Sequence, residues 1–221
     1  MILPQFAIII KLNVISFMEL LSLSLITLAI LVFSVIVHEV SHGVVAGWFG
    51  DDTAHRAGRI TLNPIPHIDL MGSIIVPLIL LAANSPVIFG AAKPVPVDFR
   101  NMRRERLGMA AVSFAGPLSN FLLAILFGLI LKYIGGQYLS EALLLKAIIL
   151  NLALGTLNLI PIPPLDGSKI VLSILPQGWW AAIGSYERYG FILVFLFILM
   201  GWLNTLFVPV ISTFFRLMGL V

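Results

Sequence analysis

His38, Glu39 and His42 stand within five consecutive positions of an apolar run, as His38-Glu39-Val40-Ser41-His42. On a helix, residues four apart share a face, so the two imidazoles can hold one Zn2+ at roughly 2.0–2.1 Å. Glu39 is rotated by about 100° from His38, which suits it to a zinc-activated water better than to the metal. Zinc lowers the pKa of such a water towards ~7, and a neighbouring carboxylate can act as general base, taking the proton as the water attacks a carbonyl and delivering it to the leaving amine. That chemistry is peptide hydrolysis. The bland alternatives are mutual hydrogen bonding of the three side chains in a helical bundle, or coincidence; with four His and five Glu, chance gives about 0.002 occurrences of the spacing.

Two histidines do not close a catalytic zinc site, which usually has three protein ligands and an open fourth position. The candidates for the third are His55, His67, Asp51, Asp52, Asp69, Asp98 and Asp166. Of these, Asp166 alone sits at the end of an expected spanning helix in an apolar neighbourhood, within Asn158 to Gly167. The prolines 161, 163 and 164 stop the helix and Gly167 permits a turn. A carboxylate there is tolerable only in a protein-lined or watered cavity; its plainer role would be to cap a helix from Ser168 onwards. His67 and Asp69 could orient a ligand from behind or line a water route, or simply cap a helix, and His55 reads as a surface residue.

The elements that must position these groups are membrane spans. The chain has 221 residues, 60% hydrophobic and 10% charged, with mean hydropathy +1.08, whereas soluble domains run nearer ~45–50% and ~25%. The absence of cysteine excludes disulfide frameworks, thiolate catalysis and thiolate-ligated metals. A net charge of +3, with basic residues beside apolar runs, reads as topology signal and excludes a nucleic-acid surface. Expected spans cover 20–49, 107–134, 142–160 and 191–215, the middle two joined as a hairpin at Gly135-Gly136, with a short helix over 168–175. Residues 1–17 are left undefined, as an interfacial or disordered segment; a cleaved signal peptide is a poor reading, since cleavage would remove or sever the ionisable cluster.

The stretch 68–92 holds only about 14 uninterrupted apolar residues, short of the ~20 a crossing needs. If it crossed fully, the His-bearing end of the first helix and Asp166 would face opposite sides, so it is expected to re-enter. Nine of the thirteen Lys and Arg then share the face of the site, against eight with a full crossing, which makes that face cytoplasmic. The Pro-punctuated Lys93 to Val97 stretch could be an edge strand aligning an extended substrate, or an ordinary loop. The expected fold is thus a single all-α polytopic membrane domain over 1–221. It has about four to five transmembrane helices, a re-entrant segment and short β-strands near the cytosolic face.

HExxH inside a spanning helix, Ala115-Gly116-Pro117 followed by Asn120, and the Asn158 to Gly167 segment ending Leu-Asp-Gly together resemble the site-2 protease family of intramembrane zinc metalloproteases. Gly58-Arg59, Thr61-Leu62-Asn63-Pro64, His67-Ile68-Asp69 and Ala92 to Val97 resemble its compact prokaryotic branch, without PDZ or CBS domains. The resemblance implies His38, His42 and Asp166 as ligands of one Zn2+ per chain, Glu39 as catalytic base, and Asn120 and Asn158 in substrate binding or transition-state support. Asp98 departs from the Asn expected after Lys-Pro-Val-Pro-Val. The implied activity is cleavage of a membrane-embedded protein substrate within the bilayer of a prokaryotic cell. The competing reading is a membrane zinc carrier or regulator without hydrolysis.

Overall fold

The computed structural model describes residues 3–82, 92–135, 138–176, 178, 179, 190, 192–194, 196 and 200–220, and these are helical or irregular, with no strand among them. Helix α1 runs from Leu3 to Trp48. Helical backbone begins at Leu3: Pro4 is tolerated in a first turn and neither Lys11 nor Asn13 breaks a helix. After α2 (Thr53–Arg56) the chain turns through Gly58, φ +64°. A 3-10 turn (Ile65–His67), a π-helical segment (Leu70–Ile75) and α3 (Val76–Ala82) follow. Long helices α4 (Glu105–Ile134) and α5 (Tyr138–Asn158) form the expected hairpin. Then come α6 (Asp166–Ile174) and α7 (Trp202–Met218).

Three of these helices are long and apolar enough to cross a membrane, over Ser22–Trp48, Glu105–Ile134 and Ser140–Asn158. Many of their apolar side chains, among them Leu25, Leu28, Phe33, Leu122 and Leu126, are exposed, as a lipid-facing surface requires. The expected last span, 191–215, is corrected in its course. Gly201 adopts φ +74° and starts a separate helix at Trp202 that continues to Met218, a left-handed conformation that only glycine takes cheaply. Residues 83–91 of the stretch expected to re-enter lie outside the described residues.

Helix α4 is the hub, packing on α1, α5, α6 and α7. Its buried positions include Gly108, Val112, Gly116, Asn120, Ala124 and Gly128, one every four residues. A four-residue repeat drifts by about 40° per step against the 3.6-residue turn, so the stripe winds around the helix and meets different partners along it. A Cβ on Gly108 would strike the Met102 sulfur, one on Gly116 the His38 and His42 rings, and one on Gly128 Met218 at 2.9 Å. Small residues allow this close approach where lipid gives helices no hydrophobic drive to associate. Two apolar clusters flank the site: Ala46, Met102 and Val112 at one end, and Ala124, Ile148 and Leu152 at the other.

The Lys93–Val97 stretch is irregular, so the expected short β-strands are absent among the described residues. The reason is local. Pro94 and Pro96 carry no N–H, the Lys93 N–H donates to His67 O at 2.9 Å, and the Val95 N–H donates to a side chain. The chain around this stretch is organised by Asp51, a buried carboxylate that accepts from the Asp98 N–H at 2.8 Å, Asn101 Nδ2 at 3.1 Å, and the Thr53 N–H and hydroxyl. Burial pushes the Asp51 carboxyl up, but the bonds from Thr53, Asn101 and Asp98 outweigh it and hold the group below the usual carboxylate range. The Arg103 N–H donates to Phe49 O at 3.0 Å, so the chain after α1 returns to the end of α1 from which it left.

Candidate metal centre

His38 and His42 face α4 one turn apart on α1, and Asp166 opens α6. The placement of Asp166 follows from Gly167, where a Cβ would run into Leu159 O and lie 2.5 Å from Ile160 O. The first turn of α6 is thereby laid directly on the end of α5. Gly155 brings α5 onto α4 in the same way, a Cβ there lying 3.1 Å from Pro117 O.

The three ligand atoms form a nearly regular triangle. His38 Nε2 is 3.1 Å from Asp166 Oδ2, His42 Nε2 is 3.1 Å from His38 Nε2, and His42 Nε2 is 3.3 Å from Asp166 Oδ2. Tetrahedral zinc with bonds of about 2.0–2.1 Å separates its ligands by about 3.3 Å. All three residues are buried.

Hydrogen bonding fixes the tautomers. Asn151 Nδ2 donates to Ala147 O at 2.9 Å and to Ser34 Oγ at 2.9 Å, leaving Asn151 Oδ1 as an acceptor. Asn120 Nδ2 fills it at 3.1 Å and also reaches Ser34 O at 3.4 Å. Asn120 Oδ1 therefore accepts from the His38 Nδ1–H, at 2.7 Å. The His42 Nδ1–H donates to the backbone carbonyl of Val112, also at 2.7 Å. Each imidazole, with its Nδ1–H committed, thus turns Nε2 towards a carboxylate oxygen, an arrangement that can hold a metal ion. The glycine at 116 keeps this space open, since its Cβ would strike His42 Nε2 and lie 2.6 Å from His38 Nε2. Donor types, spacing and room all fit zinc, with the outer hydrogen bonds that usually orient its ligands.

Glu39 lies beside the triangle, half-buried, with Oε2 accepting from the Val95 N–H at 2.8 Å. Oε1 has no hydrogen-bond partner among the described residues. Ser41, the other polar residue of the motif, turns its hydroxyl back to Val37 O at 2.7 Å.

Asn120 is fully buried, with its amide hydrogen-bonded to His38, Asn151 and Ser34. Asn158 Nδ2 donates to Leu154 O at 3.0 Å on its own helix. His67 is buried with Nε2 donating to Thr61 O at 2.9 Å, and Asp69 caps the following helical segment by accepting from the Gly72 N–H at 2.6 Å. Neither hydrogen-bonds to a member of the triangle. His55 is exposed, as expected. The sequence reading passed over Asn151 and Ser34. The available signal was Asn151 lying seven residues before Asn158 in an apolar helix, where a polar side chain must find a partner inside the bundle.

Comparison with known proteins adds the family. The sequence model described as Peptidase family M50 matches residues 136–202. The chain is 43% identical over 175 residues to "Putative zinc metalloprotease YwhC" of Bacillus subtilis, covering 75% of this chain and 76% of that protein. It is 27% identical over 190 residues to "Putative zinc metalloprotease Rip2" of Mycolicibacterium smegmatis, covering 84% and 71%. To "Zinc metalloprotease MJ0392" of Methanocaldococcus jannaschii it is 26% identical over 195 residues, covering 87% of this chain and 48% of the other. No solved structure matches. With a relative this similar over three quarters of both chains, the protein belongs to peptidase family M50, the site-2 protease family of membrane zinc metalloproteases.

Proposed function

We propose that the protein is an intramembrane endopeptidase that hydrolyses a peptide bond in or near the transmembrane segment of a membrane-protein substrate. The observation that carries this reading is the convergence of His38, His42 and Asp166 at 3.1–3.3 Å with both Nδ1 atoms committed elsewhere. Zinc held by these three residues supplies Lewis acidity and makes water nucleophilic near neutral pH. Glu39, anchored through Oε2, takes the proton of the attacking water at its unpartnered Oε1. It delivers that proton to the amine nitrogen as the C–N bond breaks, and so ends ionised as it began. Asn120 and the Val112 carbonyl hold the imidazoles in register, and Gly116 leaves the space in which the reaction takes place.

The bond between Arg103 and Phe49 supports a re-entrant course for the 68–92 stretch, since a single crossing would carry the chain away from that end of α1. It also supports gathering most of the basic residues on the side of the site, and hence an active site near the cytoplasmic face of a prokaryotic cell membrane. Glu39→Gln keeps the size of the side chain and removes the base. Zinc content and fold should persist while cleavage of a co-reconstituted single-span substrate stops; retained turnover would overturn the mechanism. A zinc carrier is disfavoured because, among the α1 residues whose burial is described, the buried polar groups end at Ser34, and Thr27, nearer the N-terminus, spends its hydroxyl on Leu23 O at 2.7 Å. Vesicle zinc flux surviving Glu39→Gln would reverse that judgement.

A further inference from the structure

Arg59 is 7% exposed, yet no carboxylate faces it among the described residues, and its Nε has no hydrogen-bond partner. Burying an unpaired guanidinium costs stability that an apolar side chain of similar length would not, so its contacts call for an explanation. Arg59 Nη2 donates to Lys93 O at 2.6 Å and to Pro94 O at 3.3 Å. The Pro94 carbonyl belongs to the same peptide group as the Val95 N–H, which donates to Glu39 Oε2 at 2.8 Å. One planar amide thus carries a cation on its oxygen and a carboxylate on its nitrogen, an arrangement in which each bond polarises and strengthens the other.

The surroundings leave this amide little freedom. Pro94 and Pro96 restrict φ on both sides of Val95. Lys93 is held by its N–H on His67 O as well as by its carbonyl on Arg59. The Val95 side chain is buried and packs so closely on α1 that a Cβ on Gly43 would lie 3.0 Å from its Cγ1. Arg59 itself is set by the turn at Gly58 and by its N–H on Ala54 O at 3.0 Å.

We propose that Arg59 is a positioning residue for hydrolysis: through the Pro94–Val95 peptide it fixes the Glu39 carboxylate so that Oε1 alone meets the attacking water. This rests on Glu39 being the base. Loss of the guanidinium would leave substrate binding intact and misplace the base, so kcat should fall and KM should not.

The test has two independent readouts. The sequence contains four Pro-Val pairs, so protein labelled with carbonyl-13C proline and 15N valine shows four valine amides, and Val95→Ile identifies the one sought. That amide should be shifted downfield and protected from exchange in the full-length protein in detergent. Arg59→Met should move it upfield and remove the protection, and Arg59→Lys, which keeps the charge and a donor, should restore part of both. In liposomes with a quenched single-span peptide whose transmembrane helix carries an Asn-Pro break, Arg59→Met should lower kcat by roughly ten- to a hundredfold, the loss expected for one charge-assisted hydrogen bond. KM and zinc content should be unchanged, and Arg59→Lys should recover part of the rate. An unmoved Val95 resonance, or a loss confined to KM, would overturn the proposal. If Arg59→Met fails to fold, replacing the Val95 amide with an ester removes the same N–H with Arg59 in place and must give the same fall in kcat. Retained cleavage by Glu39→Gln would instead refute the assignment of the base, while the amide resonance would still report on Arg59.

Discussion

Gly116→Ala sets two effects of opposite sign against each other. In a helix interior alanine is favoured over glycine by about 0.8–1.0 kcal/mol, so α4 itself should gain stability. The new Cβ, however, would lie 2.6 Å from both Cε1 and Nε2 of His38, and closer still to His42 Nε2. Ordinary contact begins near 3.4 Å, so the His38 ring must retreat by about 0.8 Å, several times the ~0.2 Å latitude of a zinc–ligand distance. The His38 ring cannot simply swing aside, because its Nδ1–H is tied to a fully buried Asn120. Zinc affinity should drop at least a hundredfold, about 2.7 kcal/mol, more than the helix gains. The assay is zinc content by elemental mass spectrometry after equilibration against a graded series of chelator, with thermal unfolding in detergent alongside. Gly47→Ala is the control, since a Cβ there meets nothing within 4 Å; it should keep zinc. Full zinc occupancy in Gly116→Ala at chelator levels that the parent just withstands would refute the reasoning.

The remaining predictions concern the ligands and their supports. Purified parent should contain one zinc per chain, lost in both His38→Ala and Asp166→Ala, by the same elemental measurement; full occupancy in Asp166→Ala would mean that the third ligand lies elsewhere. Asn120→Ala orphans the His38 Nδ1–H and Asn151 Oδ1 at once and should cost about 10–100-fold in zinc affinity, read by chelator competition. Asp51 is held below the ordinary carboxylate range when folded. Its contribution to stability is therefore present above its unfolded pKa of about 4 and lost as pH falls through the lower folded value. Asp51→Asn should be less stable than the parent near neutral pH, and thermal unfolding should show the gap narrowing below about pH 4.

Much of this was legible in the residues because bilayer physics is restrictive. An apolar run of span length has to be a helix, and ionisable groups within it have to converge on something, so His38 and His42 could be named as a pair before any fold was known, while Asp166 was one candidate among several until the family resemblance singled it out. The supports were harder to see. Asn151 and Ser34 look like minor interruptions in apolar sequence, and only helix rotation reveals that they meet Asn120. The partner of Glu39 is a backbone N–H, which no residue type advertises. Asp51, weighed as a zinc ligand, is drawn instead to the donors of Thr53, Asp98 and Asn101, a competition between loops that spacing does not encode. Arg59 reads as one more basic residue until the carbonyls of Lys93 and Pro94 come to it from 34 and 35 positions away.

The polar joints between α1 and its neighbours begin at Ser34 and continue through His38, Glu39 and His42 to Phe49, all towards the C-terminal end of the helix. Ser34 and His38 are one turn apart on α1, and through Asn120 and Asn151 they tie that turn to both α4 and α5. Above it, the apolar side chains Leu25, Leu28 and Phe33 are exposed. Where a bilayer is thicker or thinner than the span, a helix accommodates by tilting, and a rod fastened along one part of its length yields in the other. The N-terminal part of α1 then sweeps through the lipid while the candidate ligands, in the fastened part, scarcely move. Zinc occupancy should accordingly be equal in short-chain and long-chain phosphatidylcholine, and a metal lost on thinning the bilayer would show that α1 slides rather than pivots.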